Sequence, residues 1–138
     1  MTHTRSKNVL IIFTVIGVAA VVIGLTIWGA TAYFNQQYIK DHGGCEPNHI
    51  NHKVVIQNDK ATPANTTALH CQTLTITNLD DVGRDVAFGP HEDHVAYDGI
   101  KEEFLTKGQS LTVTLAQTGN FRFHDHIHDE VQATFRVK

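Results

Sequence analysis

An all-β domain carried behind one membrane-spanning helix is the architecture that this 138-residue chain predicts. Three observations predict it. An uncharged apolar stretch runs from Val9 to Ala32. From His52 onward, apolar and polar residues alternate in short runs separated by turn signals. No stretch of that second part has the period of an amphipathic helix, and short strands closed by regular turns are the pattern of a β-sandwich or barrel.

The apolar stretch is interrupted only by Thr14, Thr26 and Thr31. About 20 such residues cross a hydrocarbon core as a helix. Trp28, Tyr33 and Phe34 stand at its far end, where amphipathic rings favour the interface, and Arg5 and Lys7 precede it. Short basic flanks stay on the cytoplasmic side. The expected division is a cytoplasmic tail over 1–8, a transmembrane helix over 9–34, a polar linker over 35–51 and a β-domain over 52–138. Ala30-Thr31-Ala32 resembles a signal-peptidase site, which makes a cleaved signal sequence the alternative. The stretch is longer than the roughly 7–15 residues of a signal core, which favours a retained anchor. Both readings place the domain outside the cytoplasm.

All 14 acidic residues lie after residue 40, against 8 of the 11 basic ones, so the part beyond the helix carries a charge of −6. That argues against a nucleic-acid partner, which needs a basic footprint, and suits attraction of cations. Cys45 and Cys71 are the only cysteines. An isolated pair in a small domain facing an oxidising compartment reads as a disulfide. Closing a loop of about 26 residues would contribute roughly 3 kcal/mol in the chain-entropy picture.

The elements follow in order. Val54, Val55 and Ile56 mark a first strand in 52–57. Residues 58–67, with Pro63 and Asn65, read as turns with a short edge strand. Gln72 to Asn78 alternates cleanly, with β-branched residues on one face. Leu79 to Gly83 is a turn, and Arg84 to Phe88 a short strand. Ser110 to Leu115 alternates again, 117–120 turns, Phe121 to His124 extends, and Ala133 to Val137 ends the chain.

Five of the ten histidines fall in two short stretches at strand ends: His91 and His94 after Gly89-Pro90, then His124, His126 and His128. Imidazole is the commonest side-chain ligand for copper and zinc. If the strand from Phe121 continues, Phe121 and Phe123 face the core and His124, His126 and His128 share the other face. His-x-x-His in a loop and His-x-His on a strand can converge on one ion, and all five are the candidate metal ligands. Asp93 and Asp125, inside the clusters, could each accept the second ring N–H of a ligand. Tyr97-Asp98-Gly99 reads as a turn with Tyr97 against the rim. His49, His52 and His70 are assigned to surface or edge positions.

The run from Leu105-Thr-Lys-Gly108-Gln-Ser through Gly119-Asn-Phe-Arg-Phe-His-Asp-His126 to the terminal Ala-Thr-Phe-Arg-Val137 resembles the cupredoxins, and most closely a bacterial membrane-anchored subgroup with His-Asp-His in place of the cysteine ligand. The similarity spans about residues 52–138 and implies a Greek-key sandwich. It implies His91 and His94 as first-loop ligands, His124 at the cysteine position, and His126 or His128 at the downstream histidine. The chain departs from the family in having no cysteine near these histidines and no methionine but Met1. A blue-copper centre needs a short copper–thiolate bond, so an all-imidazole site points instead to copper handling or slow electron transfer. Zinc is the alternative ion. A superoxide dismutase-like copper enzyme, or a structural or adhesion module without metal, are the alternative functions.

Overall fold

The computed structural model describes residues 3–46 and 48–138, with side chains from Ile16 onward. Arg5 and Lys7, the expected cytoplasmic flank, have side chains outside that range. Helix α1 spans His3–Asp41. Of it, Ile16–Asp41 is long and apolar enough to cross a membrane by length and composition. Trp28, Tyr33 and Phe34 are exposed along this segment. The helix runs on through 35–41, where a linker is expected, because nothing in Asn35-Gln-Gln-Tyr-Ile-Lys-Asp breaks it. It stops at Gly43, whose φ of 63° closes the last turn with the Gly44 N–H on the Ile39 carbonyl at 2.7 Å.

The chain divides into two compact units, the helix up to Tyr38 and a domain from Ile39 to Lys138. Among the described residues, nine strands form the domain: β1 Asn51–Ile56, β2 Ala61–Thr62, β3 Asn65–Ala68, β4 Thr73–Asn78, β5 Arg84–Phe88, β6 Glu102–Leu105, β7 Ser110–Thr114, β8 Gly119–Asp125 and β9 Gln132–Val137. They make two sheets, ordered β2-β1-β4-β7 and β3-β9-β8-β5-β6. The pairs β1–β4 and β3–β9 are parallel and the others antiparallel. Between the sheets, Val54, Ile56, Leu74, Ile76, Leu111 and Val113 pack against Val86, Phe88, Phe123, Ala133, Phe135 and Val137.

Tyr97 lies deeper than the rim position expected of it. It is buried beside Phe121, 4.7 Å between ring centroids, and Phe135, 5.1 Å. Burial pushes its phenol up to about 12. β6 is an element that alternation alone does not reveal, because its sequence, Glu102-Glu103-Phe104-Leu105, is charged and lies at a sheet edge. The disulfide Cys45–Cys71 is formed. It ties the segment after α1 to the start of β4, and His42 adds a second tie through its Nδ1 to Asp98 at 3.1 Å.

Among the described residues, Arg84 is the cation buried in the core. Arg84 has no exposed side-chain surface and faces inward with Val86 and Phe88. Its guanidinium donates to Asp59, to Asp80 at 2.6 Å and to Asp125 at 3.1 Å. Burial pushes it down, but these carboxylates outweigh that and hold it well above its ordinary value. Burial pushes Asp80 up, but the Asn58 and Asp59 N–H groups and the guanidinium outweigh it and leave Asp80 below its usual range.

Two outcomes follow. Arg84→Met strands the buried Asp125 carboxylate and lowers stability by about 3–5 kcal/mol, read by denaturant unfolding of the chain in detergent; a loss under about 1 kcal/mol would contradict it. Because the folded value of Asp80 is depressed, its contribution is complete above about pH 4 and fades as pH falls through that folded value. Asp80→Asn should therefore lower stability at neutral pH and flatten the acid limb of Tm against pH; an unchanged limb would count against this assignment.

Candidate metal centre

Strand register decides where the histidines go. Phe88 pairs with Phe123, Ala87 with His124 and Val86 with Asp125. Since Phe88 and Val86 face the core, Phe123 and Asp125 do too, and His124 faces away. Ala87 pairs on its other side with Glu102. Glu102, Ala87 and His124 thus stand in one row across β6, β5 and β8, on the outer face of the sheet.

The loop after β5 folds back over this row. Gly89 takes φ 87°, and a β-carbon there would meet the backbone nitrogen of Val95 at 2.8 Å, so only glycine fits. The Val95 N–H returns to the Phe88 carbonyl at 3.0 Å. The closed loop carries His91 and His94 over the sheet and buries His124.

β8 ends at Asp125. The expected alternation therefore delivers His124 alone, and His126 and His128 arrive by a turn that Asp125 organises. One carboxylate oxygen of Asp125 accepts the Asp85 and Ile127 N–H groups, each at 3.1 Å. The other accepts Arg84 and His128 Nδ1, the latter at 3.0 Å. The Asp125 N–H donates to the Val131 carbonyl and the His126 N–H to the Asp85 carbonyl. Burial pushes the Asp125 carboxyl up, but these donors outweigh it and hold it below the usual range.

Four of the five candidate histidines meet. His91 and His126 stack with centroids 4.6 Å apart, and His94 meets His126 edge-on at the same distance. His124 lies 5.3 Å from both His91 and His94. Ligand nitrogens of His91, His124 and His126 all lie within 4.8 Å of one another. His94 joins through its Nε2, 3.0 Å from His126 Nδ1. His128 does not join, because its ring turns to Asp125.

Acidic side chains hold the outer nitrogens. His94 Nδ1 faces Glu102 at 3.0 Å and His91 Nδ1 faces Asp129 at 2.6 Å. A ring N–H donated there leaves Nε2 of each ring as the lone-pair nitrogen, and that of His94 faces His126. Sequence reading nominated Asp93 and Asp125 for this role. Asp93 sits in the loop turn and is exposed, and Asp125 serves His128 and the turn. The signal for Glu102 was available only through the pairing of β6 with β5.

The residues fit an imidazole-bound ion. His124 Nε2 is buried with no hydrogen-bond partner, and a buried polar atom without a partner is costly. Burial, and then His94 and His91 close by, push the His124 ring below its ordinary value, which favours the neutral form that ligates. Burial and Glu102 push Asp85, on the same side, above its ordinary range. The surround is acidic, as a cation site needs. A second group of ligand-type residues, Cys45, His70 and Cys71, lies elsewhere, its two sulfurs joined to each other.

No protein-family model matches the chain. No curated protein matches it in sequence. Solved structures do match. A purple cupredoxin from Nitrosopumilus maritimus aligns over 63% of this chain and 99% of its own, with a TM-score of 0.57 and 16% identity. An amicyanin variant in its reduced state aligns over 64% of this chain and 82% of its own, with a TM-score of 0.54 and 19% identity. An amicyanin variant in its Cu(I) state covers the same shares, with a TM-score of 0.55 and 19% identity. The domain from Ile39 onward has the cupredoxin-like fold, a two-sheet β-sandwich.

Proposed function

We propose that this chain is a membrane-anchored, extracytoplasmic copper-binding protein whose ion is held by His91, His94, His124 and His126 alone, with a role in copper handling or slow electron transfer. One observation carries the reading: the buried, unpartnered Nε2 of His124, surrounded by three further imidazoles. An all-nitrogen donor set suits Cu(II) in a tetragonal arrangement. Both cysteines are joined to each other and the chain has one methionine, at position 1, so no sulfur ligand of the blue-copper type is at hand. The solved relatives by fold include amicyanin in a Cu(I) state. His128, committed to Asp125, stays outside the coordination sphere. The apolar helix supplies the anchor, and Arg5 and Lys7 ahead of it favour a cytoplasmic N-terminus.

When bound, the ion would supply a Cu(II)/Cu(I) couple or simple storage of copper. The chain's own part is to hold four imidazole rings in place, keep the His124 side dry, and set an acidic surround that draws cations in.

The full chain in detergent, titrated separately with Cu(II) and Zn(II), should take one tight Cu(II). Its electron paramagnetic resonance spectrum should show nitrogen hyperfine structure and a large parallel copper splitting, without intense blue colour. His124→Ala and His126→Ala should each abolish stoichiometric binding while circular dichroism shows the sandwich intact. Tight zinc with only loose copper would reassign the ion, and binding that survives both variants would remove the site. Glu102→Ala, which frees His94 Nδ1 without touching a ligand, should weaken copper by about 10–100-fold; unchanged affinity would mean that Glu102 does not orient the ring.

A further inference from the structure

The other pole of the sandwich carries a second set of ligand atoms. His70 N–H donates to the Lys138 carbonyl at 2.9 Å, and Val137 pairs with Gly119, the first residue of β8. His124 stands near the opposite end of the same seven-residue strand, on the order of 20 Å away at about 3.3 Å per residue. As a lone histidine in the sequence, His70 is expected at a surface or edge position. It is exposed, but its ring is held. Nε2 lies 3.0 Å from the Ala116 carbonyl, and Nδ1 lies 3.2 Å from Cys71 Sγ. Nε2 lies 4.0 Å from Cys45 Sγ. A carbonyl can only accept, so Nε2 carries the proton and Nδ1 turns its lone pair toward Cys71 Sγ. A backbone carbonyl that fixes the tautomer of an imidazole is the usual outer support of a ligating histidine.

We propose that Cys45, Cys71 and His70 form a redox-gated second metal site, closed as the disulfide and open to a soft monovalent cation, Cu(I), after reduction. Two thiolates and one imidazole select Cu(I) over harder ions. That is the reverse of the all-nitrogen preference at the other pole. The reductant is a dithiol. Cys45 is fully buried while Cys71 is part-exposed, so attack falls on Cys71 Sγ. The Cys45–Cys71 bond breaks, Cys45 leaves as thiolate and takes a proton, and a mixed disulfide forms with Cys71. The second thiol of the reductant attacks its own partner sulfur in that bond, closes a cyclic disulfide and releases Cys71 as thiolate, which takes a proton. In sum, two electrons and two hydrogens pass from the dithiol to the two cysteines. Cu(I) then displaces the thiol protons, as metal binding to cysteine does. The site stands whether or not the histidine pole holds copper.

The test uses the full chain in detergent carrying His124→Ala and His126→Ala, so that the first centre cannot contribute. It is reduced with dithiothreitol, desalted without oxygen, and titrated with Cu(I) against the chromophoric chelator bicinchoninate. The reduced chain should take one Cu(I) and the oxidised chain none. Cys71→Ser should abolish uptake. His70→Ala, whose fold can be checked with the disulfide intact, should weaken uptake by at least the roughly 10-fold typical of losing even an outer support. X-ray absorption at the copper edge should fit two sulfurs and one nitrogen. Equal uptake by reduced and oxidised chains overturns the proposal. So does loss of the sandwich on reduction, a sulfur-only copper shell unaltered by His70→Ala, or uptake of Zn(II) without Cu(I).

Discussion

The interaction on which the histidine pole depends is the buried pair between Arg84 and Asp125. Neither side chain reaches solvent. A guanidinium taken out of water needs charged acceptors, and through its two terminal nitrogens Arg84 finds carboxylates on three separate segments, at Asp59, Asp80 and Asp125, while its Nε has no partner. The pair therefore fixes more than its own two strands. It anchors the turn after β1, the turn after β4 and the end of β8 to one point. Asp125 then spends its remaining acceptor capacity on Asp85, Ile127 and His128. The turn that presents His126 is built from inside the core outward.

Period-two geometry explains why this arrangement can exist in four consecutive residues. Phe123 and Asp125 go in, one to the apolar core and the other to Arg84, while His124 goes out. Had Asp125 been apolar, β8 could have run on, and His126 would have lain beside His124 on an exposed face. The polar core residue ends the strand and swings the next ring up against His91 and His94. On the outer face, Ala87 stands between Glu102 and His124 with the smallest side chain of the row. His94 spans that position, reaching Glu102 with one nitrogen and His126 with the other.

What could be read from the sequence follows the same division. Strands with one buried face announce themselves by alternation, so β4, β5, β7 and β9 were placed within a residue or two of their ends. The histidine clusters and the cysteine pair were legible as local motifs. Convergence of the two histidine clusters was expected with all five rings as candidates, but neither the choice of His126 over His128 nor its route was, because the turn at Asp125 depends on an arginine some forty residues away. β6 was hidden because an edge strand can carry charge, and with it went Glu102. Residues 35–41 looked polar enough for a linker, yet polar residues without glycine or proline extend a helix as readily as they leave it. His70 was passed over because a lone histidine has no pattern; its significance is the adjacency of Cys45, which comes from a segment 25 positions earlier.

The distribution of sulfur and nitrogen ties the two poles together. A small sandwich that receives its chain from a long helix gains from a covalent closure where that chain enters, and Cys45–Cys71 provides it. Using both cysteines there leaves the histidine pole without thiolate, and nitrogen donors must carry any ion that it holds. Imidazoles bring no negative charge of their own. The charge that balances a cation must then come from around them, and Asp129, Glu102 and Asp85 stand there. A thiolate-free centre and an acidic rim are thus two consequences of one allocation: sulfur closes the fold, and carboxylates take over the electrostatic work that a ligating sulfur would have done.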